Sequence, residues 1–236
     1  MRRLIAPLTL AVTLAFAVAP LFTSFSGFDA TQLPVPQIDP PVQPAGYTFG
    51  IWGLIYLWLI VSAVYGVLRK RDDPAWNRAR TPLCASLALG VPWLWIATES
   101  ALLATLLIWL MLGFAILALL RASREKRLFL RAPVALYAGW LTAASFVSLA
   151  TVLAGYGIGM TSYGWAFAGI LGTLGMGIVV YRILPAPLYL AALVWALVGI
   201  IAANGLETFM VTATALSGVV VLACVMAVYF PRDMRP

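Results

Sequence analysis

Eight runs of this chain, residues 4–26, 47–68, 82–97, 101–120, 133–154, 163–181, 188–204 and 209–230, contain no Lys, Arg, Asp or Glu. A helix needs about 20 mostly apolar residues to cross a hydrocarbon layer, and runs of this kind leave few other folds open. Hydrophobic residues make up 63% of the chain and charged residues 10%, far from the averages of a water-soluble domain. The expected class is therefore an all-α integral membrane protein with about eight transmembrane helices. The third run is short, and a turn at residues 98–100 is required before the fourth. Without it the two would merge into one helix too long for a bilayer even when tilted.

The charges support this count. If the N-terminus is cytoplasmic, the successive inside segments are residues 1–3, 69–80, 121–131, 182–187 and 231–236. All fifteen Lys and Arg residues fall within them. The outside segments carry only Asp29, Asp39, Glu99 and Glu207. A basic bias with no exception predicts both termini in the cytoplasm. It also accounts for the net charge of +7 without nucleic acid, since the basic loops would meet anionic lipid headgroups.

Two outer features have rival readings. Arg2 and Arg3, the apolar run and Ala17-Val18-Ala19 have the outline of a secretory signal peptide. Pro20 would follow the cut and hinder it, so a retained first helix is expected. Residues 27–46 contain Pro34, Pro36, Pro40, Pro41 and Pro44 and no basic residue. Proline at that density keeps a segment extended without internal hydrogen bonds, as a plain linker or as a lid over a cavity.

Ionisable groups are absent from the eight runs, which argues against ion-coupled transport and against acid–base catalysis in the membrane. There is no histidine, hence no common metal ligand or general base. Cys84 and Cys224 sit singly in apolar runs and are read as packing residues. Glu99 and Glu207 fall at outer turns, where solvation explains them. Asn204 is read as a helix end or an interhelical hydrogen bond. No catalytic residue, metal site or required cofactor is expected. In the sixth run Gly164, Ala168 and Gly172 recur at four-residue spacing, which permits close helix approach. Packing within the chain is the expected use, and a homodimer or membrane-complex seam the alternative.

Aromatic residues carry the remaining signal. Tyr47 and Phe49 suit the interfacial belt where Tyr and Trp collect, whereas Trp52 and Tyr56 lie one to two turns deeper and share a helix face. Trp93 and Trp95 adjoin Pro92, which should kink the third helix. Tyr137 and Trp140 are three apart on the fifth. Large flat side chains from three helices can pack solidly on one another, or they can sandwich a planar or polyene ligand. Composition leaves both open.

The motifs PAGYTFGIWGLIY, LALGVPWLW and PVALYAGWLTAASF resemble those of the tryptophan-rich sensory protein family, TspO/MBR, whose animal members are called translocator proteins or peripheral benzodiazepine receptors. The matching positions are Trp52/Tyr56, Gly90/Trp93 and Tyr137/Trp140. Gly90 stands where an asparagine is usual, and Tyr47 where a tryptophan is usual. The resemblance covers about residues 1–155 and implies a five-helix bundle there. Residues 156–236 would add three helices and a short cytoplasmic tail, as in a longer bacterial variety placed in the inner membrane. It further implies a receptor or carrier for porphyrins and related tetrapyrroles, carotenoids or sterol-like ligands, with a role in regulating pigment synthesis in photosynthetic bacteria. The ligand-binding set on this reading is Tyr47, Phe49, Trp52, Tyr56, Trp93, Trp95, Tyr137 and Trp140, in a pocket among the second, third and fifth helices beneath residues 27–46. Alternatives are an accessory or assembly subunit of a larger membrane complex, such as a photosynthetic one, and porphyrin breakdown, proposed for some family members with tryptophans at the positions of Trp52 and Trp140.

Overall fold

The computed structural model describes residues 4–23, 25, 27–123 and 127–233. Arg2, Arg3, Arg124, Lys126 and Arg235 of the basic segments, and Ser24 and Ser26 of the first run, lie outside the described residues. Within them each of the eight apolar runs is mainly helical. Seven helices are long and apolar enough to cross a membrane, and the eighth, at residues 5–21, is shorter.

This shorter helix, α1 (Ile5–Val18), has 14 residues and spans about 21 Å at 1.5 Å per residue, against roughly 30 Å of hydrocarbon. It gives way to a single 3₁₀ turn at Ala19–Leu21, where Pro20 lacks the amide that a further α-turn requires. The run expected to reach residue 26 therefore ends its helix at Leu21. The next span, α2 (Ile51–Arg69), is preceded by a 3₁₀ turn at Gly46–Gly50.

The third span departs from expectation at its inner end. It begins as α3 (Pro74–Gly90), so Arg78 and Arg80 lie on a helix rather than in a loop. Asp73 Oδ1 accepts from the Ala75 amide at 2.9 Å and Pro74 takes the first helical position, a combination that starts a helix regardless of the charges that follow. Arg80 is buried. Its guanidinium donates to the carbonyl of Lys70 at 2.9 Å and to Asn77 Oδ1 at 2.7 Å, and lies over the Trp76 ring at 5.1 Å. The helix breaks at Val91–Pro92 as the proline predicts, and resumes as α4 (Trp93–Glu99). The expected turn narrows to Ser100, whose extended backbone and capping hydroxyl begin α5 (Ala101–Arg121).

The loop expected at residues 121–131 is likewise partly helical: a π-turn at Arg127–Arg131 leads directly into α6 (Ala132–Gly155). There Arg131 donates to the carbonyls of Ala122 and Pro185, at 3.0 and 3.1 Å. α6 is the central helix, the most enclosed of the spans, packed by α2, α5, α7 (Ser162–Ile183) and α8 (Pro187–Asn204). The last helix, α9 (Phe209–Asp233), packs on α7 and α8. One core cluster runs from Phe16 on α1 to Leu222 on α9, so the two parts of the chain divided near residue 155 share their packing. In the small-residue row on α7, Gly172 receives the Phe146 ring of α6, since a Cβ there would fall 2.3 Å from Phe146 Cε1. That position is used within the chain.

Residues 27–46 are tied down rather than loose. The Val35 amide donates to the Gly155 carbonyl at 2.8 Å, and Ser162 Oγ donates to Gln37 Oε1 at 2.6 Å. Asn204 Nδ2 donates to the Pro41 carbonyl at 2.9 Å, and the Ala45 amide to the Gly199 carbonyl at 3.0 Å. On the opposite side Gln32 Nε2 reaches the Thr98 carbonyl at 2.7 Å. A proline-rich segment has few internal hydrogen bonds, so its polar groups find partners on helix ends. Gly199 lets the segment approach α8: a Cβ there would lie 2.5 Å from Thr48 Oγ1 and 2.8 Å from Pro44 Cβ. Gly199→Val should therefore destabilise the protein by about 1–3 kcal/mol through overpacking. The thermal unfolding midpoint in lipid nanodiscs should fall and residues 27–46 should become open to protease. An unchanged midpoint and digestion pattern would show that the clamp does not hold the segment.

Candidate functional site: an aromatic-walled cavity

Beneath the clamped segment is a cavity of about 390 Å³. Its walls are built from α2 outward. Trp52 and Tyr56, four residues apart, stack with ring centroids 5.3 Å apart and planes 17° from parallel. The Trp140 ring of α6 stands edge-on to Trp52 at 6.3 Å and to Phe49 at 6.0 Å. On the kinked third span, Trp93 is fixed by its indole N–H, which donates to the Ala104 carbonyl at 2.9 Å. Phe25 meets the Trp93 ring at 5.2 Å and Phe28 at 5.6 Å. Such edge-on pairs are the preferred aromatic geometry and contribute about 0.5–1.5 kcal/mol beyond area burial. They also fix the walls, because each ring braces another.

The structure brings five of the eight sequence-predicted residues to the cavity: Phe49, Trp52, Tyr56, Trp93 and Trp140. The other three are placed elsewhere. Trp95 is 62% exposed and faces away, since two residues turn a helix by about 200°. Tyr47 is 56% exposed and meets Trp195 edge-on at 5.9 Å on the outer rim. Tyr137 is fully enclosed behind the cavity, with its hydroxyl 2.9 Å from Ser86 Oγ. Charge-free span counting could not separate these, because it gives depth along a helix but not rotation about its axis.

Sequence reasoning also missed residues that form the site. Phe16 on α1 lies against Trp52, Tyr56 and Tyr137 at 5.8, 5.3 and 5.9 Å, edge-on to each. Phe25, Phe28 and Gln43 form the mouth, and α8 contributes Ala196. The only signal for Phe16 was indirect, in Gly90, whose missing side chain leaves the space that this ring fills.

Among the described residues, no charged side chain lines the cavity. Trp140 is 2% exposed and its indole N–H has no hydrogen-bond partner among the described residues. Above the cavity lies a second, polar recess of about 440 Å³ that shares Phe25, Gly27, Phe28 and Gln43 with it and carries Asp29 and Asp39. The hydroxyl and amide of Thr31 both donate to Asp29 Oδ1, at 2.6 and 2.7 Å, and hold its carboxyl below the ordinary carboxylate range. Asp29 is thus ionised at neutral pH, and the recess is acidic where the cavity is apolar.

Fold and site together define a polytopic helical membrane protein with an aromatic-walled internal cavity. The family model for TSPO-like proteins matches residues 4–228, and the chain belongs to that family, a class of membrane ligand-binding and sensory proteins. The match crosses residue 155, so it takes in the last three helices as well. No curated protein and no solved structure matches the chain.

The placement of the two neighbouring tryptophans gives a direct check. For a flat aromatic probe measured by equilibrium binding in nanodiscs, Trp93→Ala should weaken affinity about tenfold, through lost stacking area and a freed Ala104 carbonyl. Trp95→Ala should change it less than about twofold, as expected of an outward-facing side chain. Equal losses would mean the cavity walls are wrongly assigned.

Proposed function

We propose that the protein is a membrane receptor or carrier that takes a flat, hydrophobic ring ligand into the cavity beneath residues 27–46. The observation that carries this reading is the cavity itself: an apolar space within the 300–1,000 Å³ range of small-molecule sites, walled by rings from five segments and left unfilled by them. Burial of the guest's apolar area would drive binding, at about 25 cal/mol per Å² before the entropic terms. The unpartnered Trp140 N–H adds a preference for a guest with a hydrogen-bond acceptor, because a buried indole N–H normally has a partner. Of the described residues around the cavity only Tyr56 is titratable, which favours binding over acid–base turnover.

The membrane orientation belongs to the same proposal. The N- and C-termini are cytoplasmic, and the acidic recess above the cavity faces outward, by the basic bias of the inner segments. In a bacterial cell the protein sits in the inner membrane. The family resemblance implies tetrapyrrole, carotenoid or sterol-like guests and a part in regulating pigment or tetrapyrrole metabolism, which binding at this cavity would serve by reporting or moving the guest.

The test is saturation binding of anthracene to the full chain in nanodiscs, after subtraction of the signal from empty nanodiscs. Trp52→Ala/Trp140→Ala should weaken binding by about 10- to 100-fold, given roughly 1–1.5 kcal/mol for each ring removed from a stacked site. The same affinity in the double variant as in the unaltered chain would place the guest elsewhere and end this reading.

A further inference from the structure

We infer that Ser148 orients the guest, so that the cavity takes a flat ring system carrying a carbonyl oxygen at the end nearer the mouth. The inference rests on the cavity being the binding site and goes further by naming a polar group of the guest and the side chain that reads it.

A hydroxyl on an apolar helix often donates to the carbonyl four residues earlier. On α6 Thr142 does so to Ala138 and Thr151 to Val147, each at 2.9 Å. Ser145 and Ser148 lie between them on the same helix and do not. Ser145 is fully enclosed, and its oxygen is sealed in the packing without a partner. Ser148 differs: it is 7% exposed and lines the cavity. Its hydroxyl makes no hydrogen bond among the described residues, and its oxygen is not sealed as that of Ser145 is. The surface it keeps opens on the cavity, and its proton is unspent. An apolar wall gives that proton nothing to bond to, whereas a guest's acceptor would satisfy it. The other hydroxyl on this stretch of wall, that of Thr151, is already committed to its own helix.

Position along α6 supplies the orientation. The helix runs from Trp140 towards Gly155, whose carbonyl holds the clamped segment. Ser148 is therefore about 12 Å nearer that segment than Trp140, at 1.5 Å per residue. At the Trp140 end the wall is aromatic, with Trp52 and Tyr56 stacked and Trp140 edge-on to Trp52. Rings stack there and the oxygen points towards the mouth. A serine offers one donor, which suits a single carbonyl. Phe25, Gly27, Phe28 and Gln43 are shared with the recess above, so that end is open and sets no limit on the guest's overall size.

The experiment compares 2-acetylanthracene with 2-ethylanthracene, which has the same rings and nearly the same shape but no carbonyl. Both are measured on the full chain in nanodiscs with empty nanodiscs subtracted. Ser148→Ala should weaken binding of the ketone about fivefold and change binding of the hydrocarbon less than about twofold, as for one neutral hydrogen bond. Ser148→Cys keeps the shape with a weaker donor, so it should shift the ketone in the same direction and by less; it also gives a second reading if the alanine variant does not fold. Ser145→Ala removes the sealed hydroxyl three residues away and should leave the ratio of the two affinities unchanged. Equal losses for both probes would mark Ser148 as a structural residue. That result, no ketone-selective loss in either Ser148 variant, or an equal shift of the ratio in Ser145→Ala would each overturn the inference while leaving the receptor reading standing. Failure of both probes to bind any form of the protein would remove the receptor reading and the orientation together.

Discussion

Hydrocarbon offers no hydrogen bonds, and the layout of this protein follows from that lack. Several polar side chains within the spans turn back on their own helices or meet one another: Thr9 and Thr13 donate to the carbonyls four residues earlier at 2.7 and 2.6 Å, and Thr142 pairs with the Tyr189 hydroxyl at 2.7 Å. Where polar groups are satisfied on their own helix, helix association falls to close packing. Small residues then decide which helices approach. Gly139 on α6 sits so near α8 that a Cβ would fall 2.3 Å from the Tyr189 carbonyl oxygen. The central position of α6 depends on contacts of this kind, and Trp140, the next residue, is thereby held at the cavity.

The same constraint explains what the last three helices contribute. In sequence they are apolar filler beyond a five-helix pattern. In the structure, α8 supplies the Gly199 carbonyl, the Asn204 amide and the Trp195 indole, which donates to the Thr48 carbonyl at 2.8 Å. The start of α7 supplies Ser162. Each of these ties down the segment between α1 and α2. Asn204, read as a helix end or an interhelical bond, lies at a helix end and bonds to the proline-rich segment. The choice between a linker and a lid was not legible, because proline content gives stiffness but does not show which distant helix ends lie within reach.

Spans were legible because they follow from transfer energies that depend on residue type alone. Helix starts were legible only where a local cap was weighed against charge: Asp73-Pro74 begins α3 well before the apolar run at residue 82, and this places Arg80 inside. The site was legible by depth and not by rotation or neighbour. Trp93 and Trp95 look equivalent in sequence, yet one anchors on Ala104 and the other faces outward. Phe16 could not be found from its own run, since its meaning lies in a glycine 74 positions later and in three rings on two other helices.

Whether aromatic-rich helices fill their interior or leave a gap is decided by geometry rather than amount. Rings that meet face to edge at 5–6 Å brace one another at fixed angles and cannot slide together as branched aliphatic chains do. A cluster made of such pairs keeps its voids, whereas a leucine cluster relaxes at least partly into them. Trp93 is further restrained by its backbone hydrogen bond, and Phe16 by its socket. The cavity is therefore preorganised: its shape exists before a guest arrives, and the ordering of side chains that binding usually requires has already taken place in folding. Among these walls the ring at position 16 is held by three aromatic neighbours and by the space left at Gly90.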